Sequence, residues 1–210
     1  MPDTVTTPPK MLTGVQAASF GNLELNAGVF LLGFDASNIA DATALRTAVA
    51  TALQTPANYF GATKGGGTFV ATPETRNIEL DGMRWPIKGS TVIDSWDIRL
   101  TATLAEVGHT NFNKSLMASV AATSGKVTTI QIKNTLEAND YLSSVTWVGD
   151  LLDGRVCLIQ LDNALNVDGL TLTFADKGEG SFPVSFRCHA DSLTGDYAPA
   201  VIKIFGLPTT

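Results

Sequence analysis

The sequence predicts a mainly β protein, a β-sandwich or β-barrel that carries one longer and one shorter helix in insertions. Three observations predict it. Residues 94–106 alternate strictly: Trp96, Ile98, Leu100, Ala102 and Leu104 fall on one face of a strand, and Asp97, Arg99, Thr101 and Thr103 on the other. Runs rich in Val, Ile and Thr recur along the chain between turn signals such as Asp81-Gly82 and Asp168-Gly169. Only two segments carry helical spacing, and strands run up to both without a linker. Residues 15–210 therefore read as a single domain, preceded by a polar, Pro-rich arm over 1–14 that is disordered until a neighbour orders it.

In chain order, Val15–Leu25 and Ala27–Phe34 read as two strands, with turn residues in 21–28. Residues 38–54 form the clearest helix, capped by Asn38 or Asp41, with Ile39, Ala42, Leu45, Val49 and Leu53 on one apolar face and Pro56 as its stop. An irregular stretch follows, ending in Lys64-Gly-Gly-Gly67. The whole excursion 35–67 is too long to be filler and reads as an interaction segment. Thr68–Thr72 and Arg76–Leu80 read as strand segments, Asp81-Gly82 as a hairpin turn, and Met83–Lys88 as the return. Residues 111–122 read as the short helix, with Asn111 near its cap and Gly125 terminating it. Further strands are expected near 128–133, 143–148, 155–161, 169–174, 181–190 and 200–205, with a turn at 177–180. In 181–190, Phe182, Val184, Phe186 and Cys188 share one face, and Ser185, Arg187 and His189 the other.

Composition narrows the function. The chain has 210 residues, 44% of them hydrophobic and only 16% charged, which excludes a disordered chain and allows a real core. Its net charge of −6, with no basic stripe or Arg-rich arm, excludes a protein that grips nucleic acid by neutralising phosphates. The longest apolar stretch, Gly28 to Phe34, is too short to span a bilayer, and Asp3 stands where a secretory leader would be positive. The expectation is a soluble protein made in a cytoplasm, with Cys157 and Cys188 as buried thiols rather than a disulfide.

No motif carries chemistry. Ser124-Gly125-Lys126 lacks the earlier Gly of a phosphate-binding loop, and Val127 stands where Ser or Thr is required. Gly178-Glu179-Gly180 starts like a dinucleotide loop, but position 183 is Pro and the context is strand–turn–strand. In Cys188-His189-Ala190-Asp191, strand geometry sends His189 and Asp191 to one face and Cys188 to the other, so they do not converge on a metal or form a nucleophile–base pair. Trp85, Trp96 and Trp147 are candidates for a sugar-binding face, but the alternation assigns Trp96 to the core. No catalytic, metal or cofactor residue is therefore assigned, and the expectation is a protein that is not an enzyme.

Particular strings carry a resemblance. Gly21–Asp35 (GNLELNAGVFLLGFD), Gly61–Phe69 (GATKGGGTF), Pro73–Arg76, Ile78–Gly82, Lys88-Gly89, Ile93–Asp97 and Leu104–Glu106 follow one another in an order that resembles the major tail proteins of long-tailed bacteriophages and prophages. Val148-Gly149, Asp153-Gly154, Leu161–Leu165 and Asp176–Glu179 continue it, so the resemblance spans about residues 20 to 190. It implies the tail-tube fold, two packed β-sheets with a flanking helix. Subunits would form rings, usually of six, that stack into a hollow tube in the virion tail after assembly in the host cytoplasm. DNA would pass through without specific binding. The implied partners are further copies of the chain, a tape-measure protein, tail-tip or baseplate proteins and a tail terminator, with no membrane and no cofactor. On this reading Glu79, Asp81, Asp94 and Asp97 are candidates for the lumen or ring face. Ile39, Leu45, Val49, Leu53, Phe60 and Lys64 are candidates for subunit contacts. The alternatives are an inner tube of a contractile tail or type VI-like secretion system, and a carbohydrate-binding β-sandwich.

Overall fold

The structure, a computed structural model, describes residues 23, 27–106, 108–173, 180–192 and 197–207. The expected arm over 1–14, most of the strand Val15–Leu25 and nearly all of the turn at 177–180 lie outside the described residues. Within them the chain is mainly β, with two short helices. The strands are β1 (Val29–Leu32), β2 (Thr63–Asn77), β3 (Thr91–Leu104), β4 (Ser119–Ser124), β5 (Val127–Ile132), β6 (Leu142–Asp150), β7 (Val156–Asn166), β8 (Phe182–Arg187) and β9 (Ala200–Phe205). The helices are α1 (Ala42–Ala52) and α2 (His109–Ser115).

All pairings are antiparallel, in the order β1-β6-β7-β8-β3-β2, with β9 also on β7 and β4–β5 as a separate hairpin. β7 is the hinge of this arrangement. Its first half pairs with β6 on one side and with β9 on the other, whereas Leu165 and Asn166 at its end pair with β8. Between the two halves sits Asn163 at φ 46°, in the left-handed region that Asn tolerates better than most residues. Its amide donates to His189 O at 3.2 Å and to Asp191 Oδ1 at 2.7 Å.

The bend folds two sheets face to face. Phe30 and Leu32 of β1, Val145 and Trp147 of β6, and Leu161 and Ala164 of β7 form one cluster with Leu100, Ala102 and Leu104 of β3 and Phe182, Val184 and Phe186 of β8. Phe60 completes it, its ring 5.0 Å from that of Phe186. The opposite face of the first sheet (Leu31, Val148, Val156, Leu158, Phe205) is covered by Ala42 and Leu45 of α1 together with Phe34 and Ala36. The layers are thus helix, sheet and sheet. They form a sandwich in which no closed barrel of paired strands is present among the described residues.

Local chemistry explains the ends of the elements. Asp41 caps α1 by accepting from Ala44 N at 2.9 Å, and Arg46 ties the helix to the β6–β7 turn through Asp150 Oδ1 (2.7 Å) and Gly154 O (2.9 Å). The segment after Pro56 is clamped from the other side. Asn111 Nδ2 donates to Phe60 O and Glu106 O, Lys114 Nζ to Ala57 O, and Ala62 N to the Glu106 carboxylate. Trp147 lies over two glycines, Gly28 and Gly149, with Nε1 bonded to Ala27 O at 2.9 Å.

Several sequence expectations are corrected. Lys64–Gly67 belongs to β2 rather than to a loop, though the register shifts between Thr63 and Gly67 with Gly65 and Gly66 at positive φ, and Gly67 leaves room for the Phe30 ring. The return from Asp81-Gly82 is not Met83–Lys88. Asn77 pairs with Thr91, so 78–90 form one long loop. The helix at 111–122 is shorter and earlier. It ends at Ser115, residues 119–122 are strand, Gly108 rather than Asn111 is the cap, and Gly125 turns the β4–β5 hairpin. Residues 169–173 form no strand beyond a single bridge from Thr173 to Ser181. Ser185, on the face opposite Phe182, Val184 and Phe186, is buried as well: its N–H donates to Asn166 Oδ1 at 2.9 Å.

Two predictions follow from these contacts. A methyl at Gly149 would lie 2.5 Å from the Trp147 ring, which its own hydrogen bond holds in place. Gly149→Ala is therefore expected to cost about 1–3 kcal/mol in a denaturant titration. Lys133 bonds Asp140 at 2.7 Å, and this contact, with the Glu137 amide, holds the Asp140 carboxyl below its ordinary value of 3.8. A lowered carboxylate pKa contributes stability that is complete above the unfolded value and is lost as pH falls through the folded one. Between about pH 6 and about pH 3 the wild type should thus lose more stability than Asp140→Asn, read as the difference in denaturation midpoints.

Candidate functional site: the arm and the open edges

β3 shows where the core stops. Ile98, Leu100, Ala102 and Leu104 are buried, but Trp96, next on the same face, is 44% exposed. The alternation assigns Trp96 to the core; the structure corrects this, because the facing sheet ends before the strand does. From the Thr72–Asp97 pair outward to Asn77–Thr91, and around the 78–90 loop, no residue is buried. This gives an arm with about 20 Å of paired strand beyond the core. Pro73 sits within it on β2, whose outer edge is open and so tolerates a residue without an N–H.

The arm holds its own shape. Arg76 Nε meets Asp94 Oδ1 at 2.8 Å, Ser95 Oγ donates to Glu74 Oε2 at 2.9 Å, and Thr91 Oγ1 to Asn77 Oδ1 at 2.8 Å. Ile78 N to Ser90 O (2.8 Å) and Met83 N to Leu80 O (3.0 Å) order the tip. Around this frame Ile78, Leu80, Trp85, Ile87, Ile93 and Trp96 are all exposed, Trp85 by 79%. Apolar side chains grouped on a projecting element mark an interaction surface.

The acidic candidates do not form one cluster. Glu79 and Asp81 lie in the tip loop, where they make no ion pair among the described residues. Asp94 is matched by Arg76. Asp97, at the base of the arm, receives Arg99 Nε at 3.0 Å on both oxygens and Arg187 Nε at 3.4 Å, and Arg99 also reaches Asp168 at 3.4 Å. The outward face of β3 and β8 is there close to neutral, and the hydrogen bond that Arg99 donates to Asp97 raises the pKa of Arg99.

The contact candidates separate by depth. Leu45 and Phe60 are fully buried in the chain's own core and have no surface to offer a neighbour. Ile39 and Val49 are half-buried against the helix-side core, Leu53 is 38% exposed beyond the end of α1, and Lys64 is exposed on β2. Cys157 and Cys188 are half-buried and not joined by a disulfide, and burial pushes the Cys188 thiol up. His189 and Asp191 both turn to Asn163, whereas Cys188 packs against the core.

The apolar residues of the arm are the feature that reading the sequence missed. The available signal was Leu80, Trp85 and Ile87 crowded around Asp81-Gly82 with no strand alternation to bury them. Beside the arm's root, the sandwich is open at one end as a cavity of about 680 Å³ lined by Phe30, Gly67, Phe69, Trp147, Cys157 and Ile159. No protein-family model matches the chain, and no curated protein matches it in sequence.

Trp85 lies largely in solvent, so Trp85→Ala should change stability by no more than about 0.5 kcal/mol in a denaturant titration. The same variant should weaken any self-association seen by sedimentation velocity.

Proposed function

We propose that this chain is a structural, non-enzymatic virion protein that polymerises into stacked rings to form a phage tail tube, the conduit for DNA. The observation that carries the reading is the arm. A chain with a complete two-sheet core spends some 26 residues, 72–97, on a hairpin that buries none of them and presents six large apolar side chains to solvent. Such a surface is costly to expose and finds its use in contact. Polymerisation supplies that contact at every subunit. Contact through these side chains, repeated from neighbour to neighbour, would close into a ring.

The wider partners follow from the sequence resemblance: a tape-measure protein, a tail tip or baseplate, and a terminator. Charge balance around Asp97 modifies the picture of an acidic lumen. The tip loop is balanced too, Glu79 and Asp81 against Arg84 and Lys88, so a repulsive lining for DNA would draw on the net charge of −6 rather than on Glu79, Asp81, Asp94 and Asp97.

Negative-stain electron microscopy of the purified chain at rising concentration, with and without a tail-tip complex, tests the reading. Rings or hollow tubes in either arm are the expected result. No tubes even with the tip complex would overturn it, and selective retention on a glycan array would then move the assignment to a carbohydrate-binding module through Trp85 and Trp96.

A further inference from the structure

The β4–β5 hairpin is the part of the fold that the arm and the core leave unexplained. It pairs with no other strand among the described residues and is anchored at its base by Ser119 Oγ, which donates to Asn113 O and Oδ1. An isolated two-stranded hairpin is marginal in water. This one also lacks three usual edge protections: charge, proline and bulge. Neither strand contains a charged residue or a proline, and the register runs from Ser119–Ile132 to Ser124–Val127 without a bulge. β5 reads Val-Thr-Thr-Ile-Gln-Ile, a strongly strand-forming run, and Val120, Val127 and Ile132 are 51%, 65% and 74% exposed. By contrast, the open edge of β2 is guarded by Pro73, two bulges, Glu74 and Arg76.

Among the described residues one other edge is similarly unguarded. β9 pairs there only with β7, and its exposed residues Val201, Ile202 and Ile204 are apolar. Its single charge, Lys203, turns toward the α1 side, where Nζ lies 3.4 Å from Ala36 O. We propose that the β4–β5 hairpin of one copy pairs with the β9 edge of a second copy, extending the β1-β6-β7-β9 sheet by two strands. This inference rests on the self-association reading above, though not on a tube or on DNA.

The area supports a second copy as the occupant. Met117, Val120, Val127 and Ile132 on the hairpin expose about 400 Å² of apolar residue surface, and Val201, Ile202, Ile204 and Leu207 around β9 a similar amount, about half of the roughly 800 Å² that each partner buries in a stable interface. Strand-to-strand hydrogen bonding and the flanking residues would supply the remainder. Because hairpin and β9 are different surfaces, the contact is heterologous: each copy offers one of each, and the contact propagates into a ring or a helical filament rather than stopping at a dimer.

Sedimentation velocity of the full chain over a wide concentration range tests this, with Thr129→Lys on β5 and Ile202→Lys on β9 as separate variants. Both sites are exposed, and unchanged circular dichroism checks that each variant folds. Each variant is expected to raise the concentration for half-association at least tenfold. In a Cys157→Ser, Cys188→Ser background, Thr129→Cys with Ile202→Cys is expected to give a ladder of disulfide-linked multimers on oxidation. Association that both lysine variants leave unchanged, with no ladder, overturns edge pairing and leaves self-association standing. A wild-type chain that stays monomeric at millimolar concentration also overturns it, since this pairing needs no other protein, whereas tubes nucleated by a tail-tip complex would still uphold the tube reading.

Discussion

β7 is shared by two sheets, and the rest of the structure depends on its being so. Its first half lies between β6 and β9, and its end turns onto β8, with Asn163 at positive φ absorbing the change of direction. Without that bend the faces carrying Trp147 and Leu161 and those carrying Leu100 and Phe186 would have no reason to meet. The bend is held from outside the strand: Asn163 donates to His189 O and Asp191, and His189 Nδ1 lies 3.1 Å from Asn163 O. A motif that looks like scattered metal or catalytic ligands in the sequence thus serves as the clasp of the sandwich.

Once the sheets meet, the core is complete on a short footprint. Buried positions on β3 begin at Ile98, those on β8 run from Phe182 to Phe186, and α1 seals the other side of the first sheet through Ala42 and Leu45. Strand length beyond that footprint contributes little to the core. The arm, the β4–β5 hairpin and the outer edge of β9 are what remains, and each exposes apolar surface or unpaired backbone. These features differ in their protection. The arm has an internal ion pair, a bulge and a proline; the hairpin and β9 have none of these on their pairing edges among the described residues. A protected projection suits contact through side chains, and an unprotected edge suits contact through the backbone.

Charge follows the same division. Arg76, Arg99 and Arg187 are matched to Asp94, Asp97 and Asp168 along the arm's root and the outward face beside it. Exposed pairs of this kind add little to stability. Their larger effect is to leave a face neither strongly attractive nor strongly repulsive to a polyanion, with Glu79 and Asp81 beyond it at the tip.

The sequence by itself determined the element types where a local period spoke clearly. α1 with its Asp41 cap, the β3 alternation, β6, β7 and β9 were all legible, because 3.6-residue and two-residue periods are set by which face meets the core. The clamp from Asn111 to Phe60 and Glu106, the Asn163 bend and the burial of Ser185 were not, since each depends on a group more than a turn away in the chain. Trp96 is the clearest case. Its spacing is that of a core residue, and local pattern records only the face a side chain takes, not how far the opposing sheet extends to cover it. Where that cover ends is a tertiary fact, and it alone decided that the outer halves of β2 and β3 are surface rather than core.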